Sequence, residues 1–145
     1  MRRYLLLLIG VGALALASTA VAASPHYIRG PDATVSGNSL TVSWKAAGLG
    51  NTIDSVDFAL TGTADVTSQC FTKSGNPVNG VPKSERVDVN VTGEFPVRNG
   101  QVTGSLTVEP LSTLECTGNQ RVRILAVSFD LTLTGDDLPP VHLTG

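Results

Sequence analysis

The chain has 145 residues, is 41% hydrophobic but only 5% aromatic, and carries ten Lys and Arg against twelve Asp and Glu. That length supports one core rather than several domains. The acidic balance argues against a nucleic-acid partner, because phosphate binding needs clustered cations, whereas Lys45, Lys73, Lys83 and Arg86 are scattered among acids along the chain.

Residues 1–22 have the pattern of a secretory signal peptide. Arg2 and Arg3 form a positive start, residues 5–17 an uncharged apolar run, and Ala20-Val21-Ala22 a small-residue cleavage pattern. The apolar run is shorter than the ~20 residues a membrane span needs. Cleavage leaves residues 23–145 as a single secreted domain with no membrane attachment. Two of the ten basic residues leave with the leader, so the remainder carries eight against twelve acids, a formal charge of −4.

From Ser36 onward apolar residues alternate with polar ones, which is strand periodicity. Gly37-Asn38 between two β-rich runs predicts a two-residue hairpin turn. The strand over 39–45 puts Leu40, Val42 and Trp44 on one face, so Trp44 is expected in the core. Residues 46–51 read as a loop. Val56, Phe58, Leu60, Gly62, Ala64, Val66, Ser68 and Cys70 then share one parity, and the length of this run predicts a bend or bulge near Gly62. Residues 71–86, crowded with glycine, proline and asparagine, read as a loop.

Alternation resumes from Val87 to Val97. Asn99-Gly100 predicts a hairpin to a partner strand carrying Val102, Leu106 and Val108, which Pro110 ends. A second loop occupies 110–119. The last long strand spans 121–134 and changes apolar parity near Leu125-Ala126, which predicts a β-bulge. A short edge strand is expected over 141–143. Roughly six or seven strands with no amphipathic helix give an all-β fold, a single antiparallel β-sandwich of immunoglobulin-like or Greek-key type. A small β-barrel is the alternative. A true immunoglobulin signature is missing, since Trp44 precedes both cysteines.

Cys70 and Cys116 are the only cysteines. In an exported chain this pair reads as a disulfide, whose closed loop contributes about 4 kcal/mol in the chain-entropy model. A catalytic thiol or a zinc site are the rival readings. Zinc needs further ligands, and the two histidines, His26 and His142, lie near opposite ends of the sequence. Both belong to terminal segments expected to be mobile, which disfavours a histidine base for a serine nucleophile.

No nucleophile elbow, zinc-helix, phosphate-loop or dinucleotide motif occurs. Asp54 with Asp57, or Asp136 with Asp137, could in principle pair for glycoside hydrolysis, but turn acids at strand ends are the plainer reading. Asp136 and Asp137 are also the calcium candidates, without a supporting ligand loop. Asn90-Val91-Thr92 matches the glycosylation sequon, and alternation turns Asn90 outward. The expectation is therefore no cofactor, no metal and no catalytic set.

Ala47-Gly48-Leu49-Gly50-Asn51, a cysteine followed by Gly75-Asn76-Pro77-Val78-Asn79, then Phe95-Pro96-Val97-Arg98-Asn99-Gly100 and a second loop cysteine together resemble small secreted two-cysteine β-domain proteins of actinobacteria, which have no assigned activity. The likeness spans most of residues 23–145 and consists of turn and loop signatures. Gly80-Val81-Pro82 departs from it, replacing a more polar run. The resemblance implies a secreted β-domain and carries over no catalytic or ligand residue.

These observations point to an extracellular binding module that works through its loops on a protein or a glycan, with Asn76, Pro77, Val78 and Asn79 as the candidate interaction loop. A secreted hydrolase, a hydrolase inhibitor presenting Leu114-Glu115-Cys116-Thr117, and a structural matrix component are the alternatives.

Overall fold

A computed structural model describes residues 24–145 of the protein, so the expected leader lies outside the described residues. The chain forms β1 (His26–Ser36), β2 (Ser39–Ala47), β3 (Ser55–Phe71), β4 (Lys83–Pro96), β5 (Val102–Val108), β6 (Arg121–Gly135) and β7 (Val141–Thr144). Antiparallel pairing assembles them into a three-stranded sheet, β1-β2-β5, and a four-stranded sheet, β4-β3-β6-β7. The fold is an all-β sandwich. The two ladders stay separate, which distinguishes it from a closed barrel.

Alternation places the core where the sequence puts it. Leu40, Val42, Trp44 and Ala46 of β2 face Val56, Phe58, Leu60, Ala64 and Val66 of β3, with Val102, Leu106 and Val108 from β5 and Phe129, Leu131 and Leu133 from β6, all buried. The aromatic centre is Trp44 against Phe58, with ring centroids 4.5 Å apart, and Phe95 set edge-on to both. Gly104, paired across from Trp44, leaves the space this needs: a Cβ there would lie 2.7 Å from the indole Cζ2.

Four local expectations are corrected. Ala46 and Ala47 still belong to β2, so the following loop starts at Gly48. Gly62 carries no bulge. Register runs through it on both sides, and glycine is required because its φ is 146° and a Cβ would meet the Asp130 carbonyl oxygen at 2.2 Å. The one register shift between β3 and β6 falls instead where Ser68 pairs with Ile124 and Thr67 with Ala126, leaving Leu125 as the extra residue. That is the bulge the parity change predicts.

The third correction concerns Asn99-Gly100. The turn forms, with φ of 52° and 69° and reciprocal backbone bonds between Arg98 and Gln101. Its flanking strands nevertheless enter different sheets, because the Val97 amide donates to the Asp54 carbonyl and keeps β4 beside β3. It is a crossing between sheets rather than a hairpin. Lastly, the histidines do not sit in free terminal segments: His26 opens β1, and His142 lies in β7, the edge strand expected over 141–143, where its Nε2 meets Asp130 Oδ1 at 2.6 Å. The strand β1 reaches back well before the alternation that signals it in sequence, through register shifts around Gly30-Pro31.

Candidate functional site

β3 and β6 run on past the three-stranded sheet, which leaves the inner face of the last residues of β3 and the first of β6 without an opposing strand. The segment after β5 crosses that opening. Pro110 is buried, and Ser112 Oγ lies 2.6 Å from Oγ of Ser68, the one fully buried polar residue among those described. Cys116 then bonds Cys70, with 5.8 Å between Cα atoms. The two irregular loops named by sequence, which the bridge tethers, therefore share one end of the sandwich.

A carboxylate absent from the expected site fixes this arrangement. Glu85 Oε1 accepts from the Thr113 amide at 2.7 Å and the Ser112 hydroxyl at 2.8 Å, while Oε2 accepts from the Thr113 hydroxyl. Lys83 Nζ stands 3.4 Å away and also donates to Thr113 Oγ1. These partners, the Thr113 hydroxyl and amide first and then the Ser112 hydroxyl, pull the Glu85 carboxyl from its ordinary 4.5 to about 2. The sequence does hold a signal for it: Glu85 sits on the same parity as Val87 and Val89, and a charge on an apolar face needs partners.

The loop read over 71–86 is shorter in the structure, because Lys83 to Arg86 already belong to β4. It is ordered by its own backbone. Thr72 N donates to Asn76 O and Gly75 N to Thr72 O, and Val78 N returns to Cys70 O at 2.9 Å. The Gln69 amide donates to the carbonyls of Val78 and Gly80. Of the candidate residues, Asn76, Pro77 and Asn79 are exposed and Val78 is half-buried. On the outer face of the four-stranded sheet, Arg123 stacks over Phe71 with Cζ 4.9 Å from the ring centroid.

The remaining candidates do not converge. Asp54, Asp57, Asp136 and Asp137 are exposed at the opposite end of β3 and β6. Asp57 and Asp136, with Glu94, rim a shallow groove of about 550 Å³ on the outer face. No group of three or more potential metal ligands occurs among the described residues. Asn90 and Thr92 of the sequon are both exposed on β4. The Leu114-Glu115-Cys116-Thr117 segment alternates half-buried and exposed residues.

Compared with protein-family models and with curated proteins, the chain matches none. The disulfide is compatible with an extracellular protein.

Proposed function

We propose that this chain is an exported, non-enzymatic binding module with an immunoglobulin-like sandwich, acting on an extracellular protein or glycan through the loops at its disulfide end. The single observation that supports this is the coupling of those loops. The Cys70–Cys116 bridge, the Glu85 carboxylate and the Gln69 amide hold two irregular surface segments against one rigid sheet end, and a preorganised loop pair loses little conformational entropy on binding. The strand order supports the immunoglobulin-like part, with β1, β2 and β5 in the places of strands A, B and E, and β3, β6 and β7 in those of C, F and G. The bridge departs from the usual inter-sheet position, since it ties a strand end to a loop.

Replacement of Asn76-Pro77-Val78-Asn79 by Gly and Ser residues tests the reading. The thermal transition should stay within a few degrees of the parent, and capture of a partner from culture medium should be lost. Unchanged capture would make the loop a plain connector. The same rigidity favours a second reading, an inhibitor presenting Leu114-Glu115-Cys116-Thr117, and stoichiometric inhibition of an extracellular protease would put it first.

A further inference from the structure

Folding brings Lys73 to the sheet end where Arg121 and Arg123 lie. Arg123 pairs with Gln69 and Arg121 with Phe71 on alternate rungs of β3 and β6, on the outer face of the sheet. Lys73 follows directly after β3. Among the described residues, none of these three cations has a carboxylate within ion-pair distance, which they share with Arg29, Lys45 and Arg98, whereas Lys83 and Arg86 each have one. Thr72 and Lys73 face Thr117, Gly118, Asn119 and Gln120 across an open cleft of about 340 Å³, which ends where Arg121 begins. The Arg123 guanidinium is held over Phe71, next to the loop at Gly75. The same outer face carries Asp57, Glu94 and Asp136 at its far end, so its charge is graded along the strands.

We infer that Lys73, Arg121 and Arg123, with the cleft beside them, form a binding site for a polysaccharide bearing sulfate or carboxylate groups. The three free cations would take the anionic groups, and the hydroxyls and amides of Thr72, Thr117, Asn119 and Gln120 would pair with sugar hydroxyls. A nucleic acid fits less well. Single-strand binders stack bases on open aromatic faces, and the one aromatic ring in this patch, Phe71, already has a guanidinium over it.

The inference rests on the disulfide end being the working surface. Its test is titration of the secreted, disulfide-intact protein with a heparin octasaccharide, a neutral maltooligosaccharide of equal length, a thymidine oligonucleotide and vesicles containing phosphatidylglycerol. The octasaccharide should bind, with an affinity that falls as salt rises, and the neutral sugar should not. Arg121→Gln/Arg123→Gln should weaken binding at least about tenfold and reduce the log–log salt slope by about two, since each cation removed takes about one from it. Arg86→Gln, whose side chain is occupied by Asp65, should bind as the parent. Lys73→Gln, exposed in a loop, carries the same test should the double variant misfold.

Equal binding by parent and double variant would overturn the inference, as would tighter binding of the oligonucleotide or the vesicles than of the octasaccharide. If the octasaccharide fails to bind while capture from medium still depends on residues 76–79, the ligand class is wrong and the proposed function stands. If octasaccharide binding is lost in the double variant but survives the 76–79 exchange together with unchanged capture, the cation site stands and the loop reading falls.

Discussion

Trp44 and Glu85 represent two ways in which a side chain holds this sandwich together. Trp44 is buried to 2% exposure with its Nε1 lacking any hydrogen-bond partner, so its contribution comes from packing against Phe58 and Phe95. Trp44→Ala should cost about 3–5 kcal/mol in denaturant unfolding. Trp44→Phe should cost clearly less, because the partnerless N–H leaves with the indole. As the only tryptophan, Trp44 should also shift its emission to the red on unfolding, and a solvent-like emission in the native state would contradict the packing. Glu85 contributes through its charge. Its folded pKa of about 2 lies below its ordinary 4.5, so its stabilisation is present in full above pH about 4.5 and disappears as pH falls from there through about 2. The difference in melting temperature between the parent and Glu85→Gln should therefore be largest near neutrality and shrink towards zero by pH about 2. A difference that stays constant across that range would mean that Glu85 acts by shape alone.

At the scale of the strands, what the sequence discloses is parity, and what it withholds is partnership. Leu40, Val42 and Trp44, and the long series from Val56 to Cys70, sit on the inner face as their alternation implies, because a side-chain period of two follows from the pleat alone. The bulge at Leu125 was legible for the same reason: the apolar set changes parity there, and only an inserted residue keeps both halves facing inward. Sheet membership was not legible. Asn99-Gly100 specifies a turn conformation, yet the bond from Val97 N to Asp54 O, which decides that β4 stays with β3, depends on residues far apart in sequence. The candidate loop was legible as a surface segment, whereas the clamp of Glu85 on Ser112 and Thr113 needed the topology to bring β4 beside the segment after β5. A deletion separates these two kinds of information. Leu125→Ser should change stability by no more than about 0.5 kcal/mol, as at an ordinary surface position, because Leu125 is 48% exposed. Removing Leu125 should instead put Val122 and Ile124 out of register with Cys70 and Ser68, and strain the bridge through Cys116. Urea unfolding of both variants makes the comparison, and equal midpoints would show that the bulge is dispensable.

At the scale of the whole domain, the placement of the first and last strands has a mechanical consequence. His26 pairs with Ala47 at one end of β2, while Gly145 lies against Leu40 and Val35 at the other. A force applied between His26 and Gly145 therefore pulls along β1 and β7 and loads their ladders in shear, so many hydrogen bonds must give way together instead of opening one at a time. The bridge between Cys70 and Cys116 removes the enclosed 46-residue separation from the load path. Once the rest of the domain has ruptured, β4 and β5 feel no tension. Stretched singly, the oxidised domain should lengthen less than the reduced one by roughly 150 Å, the extended reach of 46 residues. Equal lengthening with and without reductant would mean the bond is not formed. A domain wired in this way would yield in part under tension while keeping the segment between its cysteines slack.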